Sequence, residues 1–449
     1  MKIKFILPAL EEAKSPFWRP IKYSLFPPLG LATLASFCSE TDEVEIVDEH
    51  VEEIKLDDQP DLVCIETYIT NAHRAYEIAD LYRSRGIKVA LGGLHATTLP
   101  EEAKVHADTV LLGLGEGNFP KFLEDVKQGK VLEFYQEGEV FLDSLPLPRR
   151  ELIKREKYLV PNSMVFSRGC PNRCSFCYIS SFYKDGKSFY TYKIDRILEE
   201  IDSLQGRHLY FLDDNLFADK KLVREVFREM RGMNKFFQGA ITVDSVLADD
   251  TIELAYEAGF RSAFIGFESI NQDNICLSNK RTNLVDQYKK AIKRLDQLGI
   301  MINGSFIFGL DHDDLDVFDR TTDWAINNGI STATNHILTP YPGTALFEKM
   351  KQEGRLLTEE WKLYDTRHLV FKHPNISKEE MEAGYQRAYK DFYRWGNIAK
   401  SSNEHQTFKM KLKHFTYAGA WKKFEPVWNF IIKTDQLSKT RIALVGALK

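Results

Sequence analysis

Over residues 1–140, short apolar runs at 2–7, 44–47, 62–65, 88–91 and 109–112 alternate with segments such as 29–37 and 72–82, whose apolar positions recur near helical spacing. Strand and amphipathic helix in turn predict an α/β unit: a doubly wound, Rossmann-like parallel sheet covered on both faces. Such sheets bind ligands beside the carboxyl ends of their strands, near the topological switch point. From residue 163 the pattern becomes strand–helix units of about thirty residues, with strands expected at 164–167, 208–212, 239–243, 262–267, 303–308 and 332–338. Six such units predict a partial (β/α)6 barrel whose first strand runs straight into the loop that follows it, with function at the carboxyl-end loops. Long helical periodicity resumes near Lys378. The expected organisation is therefore a sheet domain at 1–140, a linker at 141–160, a barrel at 161–345 and a mainly helical appendage at 346–449.

A chain of 449 residues exceeds what one core supports, in keeping with several units. No run of eighteen apolar residues offers a membrane span, and the amino terminus reads as a strand too short for a signal segment. A cytoplasmic location is expected. The net charge of -5, from 60 basic and 65 acidic residues, argues against a nucleic-acid binder. Charge is uneven, however: residues 401–449 carry nine Lys or Arg against three Asp or Glu, interleaved with Phe408, Phe415, Tyr417, Trp421, Phe424, Trp428 and Phe430. Three uses fit that composition: a helical lid packed on the chain's own domain, a surface that covers a partner, or a peripheral contact with an anionic membrane.

The stretch Ser167-Arg168-Gly169-Cys170-Pro171-Asn172-Arg173-Cys174-Ser175-Phe176-Cys177-Tyr178 spaces three cysteines as CxxxCxxC. Three thiolates on one loop can ligate three irons of a 4Fe-4S cluster and leave the fourth iron open to chemistry. A structural zinc needs a fourth ligand, and Cys38, Cys64 and Cys276 each lie far off in apolar stretches where a thiol serves as a small hydrophobe. The pattern resembles the signature of the radical S-adenosylmethionine (SAM) enzymes. That resemblance implies metal ligands Cys170, Cys174 and Cys177, a SAM molecule on the open iron, and one-electron cleavage of SAM to a 5'-deoxyadenosyl radical. It adds Tyr178, directly after the third cysteine, to the cofactor-binding set.

The strand ends of the first domain are rich in hydroxyls and glycine: Glu66-Thr67-Tyr68-Ile69-Thr70-Asn71, Gly92-Gly93-Leu94-His95 and Gly113-Leu114-Gly115-Glu116-Gly117. Glycine there lets backbone approach a bulky ligand. Together with Pro27-Pro28-Leu29-Gly30, and with the cysteine motif following, these segments resemble the cobalamin-binding domain that precedes the barrel in one subgroup of radical SAM enzymes. Thr67, Thr70, Gly92, Gly93, His95, Gly115 and Glu116 are the cobalamin-side residues so implied. His95 would hold the corrin or its tail, the alternative being a solvent-facing loop histidine. Asp48-Glu49-His50 fits the DxH of classical cobalamin domains, but Glu53 replaces the glycine of DxHxxG, and the subgroup does not require a lower histidine.

In the barrel, Asp213-Asp214-Asn215 ends the second strand, Gly266-Phe267-Glu268-Ser269 the fourth and Phe308-Gly309-Leu310 the fifth. By the same resemblance, Asp213, Asp214 and Asn215 lie near the SAM amino group, Glu268 and Ser269 near its polar atoms, and Gly309 beside the adenine. A carboxylate at the Glu268 position needs a partner, and a structural ion pair with Arg261 or another base is the alternative to a ligand role. The family reading implies a 4Fe-4S cluster, SAM and cobalamin as cofactors, and methylation of an unactivated carbon of a small, hydrophobic or lipid-like substrate. Its electron would come from an external donor such as flavodoxin or ferredoxin. Cobalamin-dependent cyclisation or rearrangement without methyl transfer is the alternative outcome.

Overall fold

The computed structural model describes residues 1–10, 25–136, 142, 145–183, 188–423 and 431. Strand β1 (Lys2–Leu7) alternates its side chains between two faces. Phe5 enters one apolar cluster with Leu31, Phe119 and Phe122, and Ile6 another with Val63, Ile65 and Tyr82. Burial on both faces explains why these strands read as unbroken apolar runs. The other strands of this sheet are β2 (Glu43–Asp48), β3 (Leu62–Glu66), β4 (Lys88–Gly92), β5 (Thr109–Leu112) and β6 (Phe134–Gln136), in the order β2-β1-β3-β4-β5-β6. Every pairing is parallel. Strand order reverses at β1, so the crevice falls at the carboxyl ends of β1 and β3. Strand β6 was not anticipated, because three residues are too few to display a period.

The second sheet runs β7 (Ser163–Met164), β10 (His208–Phe211), β11 (Phe236–Ile241), β12 (Phe260–Glu268), β13 (Met301–Phe308) and β14 (Thr332–Ile337), all parallel neighbours, as an open barrel. Its floor is an aromatic stack, with Phe211–Phe237 and Phe237–Phe260 centroids 4.9 and 5.4 Å apart. One expectation is corrected. The strand expected at 164–167 is split: β7 ends at Met164, and β8 (Ser167–Gly169) pairs antiparallel with β9 (Phe189–Thr191) outside the barrel sheet. The Asp213 carboxylate causes the break, since it accepts the Phe166 N–H at 3.0 Å and the Ser167 hydroxyl at 2.6 Å in place of a strand ladder.

The appendage begins its main helix, Lys378–Phe392, at a Ser377/Glu380 capping box. That helix closes the free edge of β14. The Tyr393 hydroxyl lies 3.1 Å from both the N and the O of Ala333, and the Asn335 N–H donates to the Tyr389 hydroxyl at 3.2 Å. Unpaired strand edges invite non-native pairing, and tyrosine hydroxyls here take the place of a seventh strand. Helices Trp395–Asn403 and Phe408–Lys423 follow, the latter anchored by Met410 against Phe236 and Met301. Of the basic aromatic tail, the stretch 424–430 and everything past 431 lie outside the described residues. Among the described residues no helix is long and apolar enough to cross a membrane.

Candidate functional site

The cysteine loop opens from the β8–β9 ribbon. Gly169 turns the chain at φ +81°, and a Cβ there would sit 2.2 Å from the Ser188 carbonyl oxygen, so only glycine fits. Two remote segments strap the loop: the Ser175 N–H donates to the Ser278 carbonyl (3.0 Å), and the Asn279 amide donates to the Arg173 carbonyl (2.8 Å). Cys170 and Cys174 are buried and Cys177 half-buried. Burial raises all three thiols, Cys177 to about 12, and for Cys174 and Cys177 neighbouring cysteines add to the effect. Cys170 packs with Leu114 of the first domain, so the loop lies on the boundary between the two sheets.

Across that boundary lies one cavity of about 270 Å³, opening to about 1160 Å³ when the space exposed to solvent is counted. The first domain lines it with Gly30, Glu66, Tyr68, Gly92, Gly93, Gly115 and Glu116, and the cysteine-loop side with Arg168, Gly169, Tyr178 and Asp214. Gly93 has φ +100°, and a Cβ would stand 3.1 Å from both the N and the O of Thr67, so the backbone of β3 and β4 meets here without side chains. Glu116, in the first turn of the Gly115–Gln128 helix, pairs with Arg168 at 2.6 Å. Burial is the largest influence on Arg168 and opposes its charge, but Glu116 together with Tyr192 and Tyr183 outweighs it and holds the guanidinium above its usual range. The Arg168 Nε–H keeps no hydrogen-bond partner among the described residues. Asp214 is raised by burial against the opposing pull of Arg168, and the Tyr178 hydroxyl and Gly169 N–H donate to it. Burial also raises Glu66, although the Tyr68 hydroxyl donates to it at 2.7 Å.

The remaining candidates stand outside that cavity lining. Thr67 is fully buried, its hydroxyl without a hydrogen-bond partner among the described residues, and Thr70 is half-buried on the short Ile69–Asn71 turn. Burial lifts Asp213 to about 7, and its oxygens are committed to Phe166 and Ser167. The buried Asn215 Oδ1 has no hydrogen-bond partner among the described residues. Glu268 holds φ +62° at a bulge in β12 and pairs with Lys280, while Arg261 instead lies over the Tyr256 ring. A non-glycine residue in that conformation stores strain, as functional positions often do. Ser269 is buried, and its hydroxyl accepts the Asn271 N–H. Gly309, at φ +95°, is fixed by the Asp313 carboxylate, which accepts the N–H groups of Gly309 and Leu310 at 2.8 and 3.0 Å.

His95 is neither solvent-facing nor part of the cavity lining. It is 1% exposed on the Leu94–Thr98 helix, its Nε2 lies 3.1 Å from Glu102 and its Nδ1 has no hydrogen-bond partner among the described residues. Trp361 of the appendage donates to the same carboxylate at 3.0 Å and meets the His95 ring edge-on. His50 is tied to Asp48 at 2.7 Å, and Asp48 also accepts from the Tyr158 hydroxyl. The turn 339–344 lies against both units, with Gly343 beside Thr98 of the first domain and Ser181 just after the cysteine loop.

Sequence reasoning passed over Glu66, Tyr68, Arg168 and Lys280. The first three sit inside the motif segments and could have been found there, but Lys280 carries no local signal. The residues present fit the implied groups. Three soft donors on one loop suit an iron–sulfur cluster. Among the described residues no three His, Cys, Asp or Glu side chains converge on a single-ion site, and a cuboidal cluster is wider than one ion and asks for a looser triangle of thiols. Gly92, Gly93 and Gly115, which border the cavity without side chains, suit a large ligand pressed against backbone.

Residues 164–325 match the Radical SAM superfamily and residues 23–123 the B12 binding domain. The bacteriochlorophyllide d C-12(1)-methyltransferase of Chlorobaculum tepidum is 30% identical over 83% of this chain and 84% of that protein. The hopanoid C-2 methylase of Rhodopseudomonas palustris is 25% identical over 75% of this chain and 66% of that protein. In fold, the chain is similar to the cobalamin-dependent S-adenosylmethionine radical enzyme OxsB, solved with aqua-cobalamin, with a TM-score of 0.69 at 16% identity over 96% of this chain and 72% of that one. The chain belongs to the radical SAM enzymes that carry a B12-binding domain, and its cofactors are a 4Fe-4S cluster, S-adenosylmethionine and cobalamin.

Proposed function

We propose that the protein methylates an unactivated carbon of a hydrophobic small molecule, with both cofactor domains acting at one cavity. The observation that carries this reading is the shared lining: Gly92, Gly93 and Glu116 from one sheet domain, and Arg168, Tyr178 and Asp214 from the cysteine-loop side, border the same space. When bound, the cluster and SAM supply a hydrogen-abstracting radical and cobalamin supplies the methyl group. In this reading Cys170, Cys174 and Cys177 hold the cluster. Tyr178, Asp213, Asp214, Asn215, Glu268, Ser269 and Gly309 bind and orient SAM, Asp213 by shaping the loop and Glu268 through Lys280. Thr67, Thr70, Gly92, Gly93, His95, Gly115 and Glu116 form the cobalamin side, with His95 acting through Glu102. Leu31, Leu34, Leu111 and Phe119 exclude water from the cavity wall.

The relatives' substrates support a flat macrocycle or a polycyclic lipid as the first compounds to try. The electron comes from an external reductant, and we infer a small acidic carrier such as flavodoxin or ferredoxin. A cytoplasmic location suits so oxygen-labile a cluster. The test is reconstituted enzyme with methyl-deuterated SAM and a bacteriochlorophyllide or a hopanoid, read by mass spectrometry. Methyl transfer requires a labelled product with one 5'-deoxyadenosine and one S-adenosylhomocysteine per turnover. Formation of 5'-deoxyadenosine with an unlabelled, cyclised or rearranged product would replace it with the alternative.

A further inference from the structure

The Phe408–Lys423 helix is apolar on two sides. One side, Met410, His414 and Ala418, is buried on the barrel. The other presents Phe408 (80% exposed), Leu412 (54%) and Phe415 (37%) in the row i, i+4, i+7. Trp395, half exposed at the start of the preceding helix, extends this row, with its ring 5.8 Å from that of Phe415. Isolated exposed apolar residues are ordinary, but four aromatic or leucine side chains in one contiguous row mark an interaction face.

The charge around the row selects its occupant. The helix sequence carries five lysines and no acid. Lys411 flanks the row on one side and Lys409 and Lys413 on the other, the positions that helical geometry puts beside 408, 412 and 415. Lys413 is lowered to about 8, first by burial and then by the charges of Arg261 and Lys409, so these cations crowd one another. A protein partner would have to supply matching acids to each; an anionic lipid surface supplies phosphates around an apolar interior.

We propose that the Phe408–Lys423 helix, with Trp395, is a peripheral docking face for anionic phospholipid, its apolar row entering the acyl boundary and its lysines contacting headgroup phosphates. Amphipathic helices of this kind lie in the interface plane and bind through apolar burial plus attraction to anionic lipid. The docking does not depend on the chemistry proposed above. It would bring the catalytic barrel to the surface on which a hydrophobic substrate resides.

The test is co-sedimentation of the full chain with vesicles of phosphatidylcholine alone or with a third phosphatidylglycerol. Binding is expected only to the anionic vesicles, and should weaken as salt rises. The double variant Lys409→Gln/Lys411→Gln should bind about 25-fold more weakly, from roughly fivefold per lysine. The variant Phe408→Ser/Leu412→Ser/Phe415→Ser should lose sedimentation; these side chains are exposed, and circular dichroism checks that the helix persists. Anionic vesicles that fail to carry down the wild type overturn the proposal. So does a serine variant that binds as well as wild type, or wild type that dimerises through this row and becomes monomeric when it is replaced by serine.

Discussion

The Arg168–Glu116 pair joins the cysteine loop to the first domain, and its strength can be measured. The ions stand 2.6 Å apart, with side chains 21% and 6% exposed. Glu116→Gln keeps the shape but removes the ion-paired charge, leaving a largely buried guanidinium with only the more distant pull of Asp214 and Glu66. Breaking a fully buried pair costs about 3–5 kcal/mol, and the partial exposure of Arg168 places the expected loss at about 2–3 kcal/mol. With a urea slope of about 3 kcal/mol per molar for a large chain, the unfolding midpoint of the cofactor-free protein should fall by roughly 0.7–1 M. Arg168→Met alone leaves Glu116 charged, and the double variant leaves neither charge. A double-mutant cycle on the midpoints should therefore return a coupling near 2 kcal/mol, little changed between low and high salt. A coupling below about 0.5 kcal/mol, or one that vanishes in salt, would refute the reasoning and make the pair a surface contact.

Alanine at Cys170, Cys174 or Cys177 should abolish 5'-deoxyadenosine formation with most of the fold kept; product retained in any of them would sink that cysteine as a cluster ligand. Gly93→Ala puts a Cβ 3.1 Å from the Thr67 backbone at φ +100°, a strain of about 1–3 kcal/mol. Cobalamin titrated against absorbance should then bind roughly tenfold or more weakly. Burial raises Asp313 to about 6. Between the unfolded carboxyl value near 3.8 and that folded value the native state holds a proton the unfolded state lacks, so stability should fall as pH rises through this window and level off above it. The loss is at most ~3 kcal/mol. Asp313→Asn should flatten that slope in urea midpoints at pH 4 to 7, and an unchanged slope would move the titration to another group.

What could be read from the sequence was local. The Thr109–Leu112 strand was legible as an apolar run, and the cysteine loop because its three donors and Gly169 lie within nine residues. The link Lys280–Glu268 was not, since nothing near Glu268 announces which cation folds back to it. Trp361 and Glu102 are 259 positions apart, a separation at which periodicity carries no information. His95 illustrates the same limit: a histidine after two glycines reads as a loop residue, whereas Tyr76, Glu102 and the distant Trp361 all pack around it. The split of the 164–167 segment likewise depended on Asp213, whose carboxylate competes for the hydrogen bonds a strand would use.

The Trp361–Glu102 bond also sets an order of events during synthesis. The cavity walls end at Asp214, and the residue that clasps the appendage to the first domain emerges only at Trp361. At about 5–20 residues per second the intervening stretch of roughly 150 residues takes about 7–30 s. For that interval the residues of both walls have been made but the clasp has not. The clasp is therefore the last of these contacts that the chain can make, and a polypeptide halted before Trp361 would carry every cavity-lining residue without the bond that ties the appendage to them.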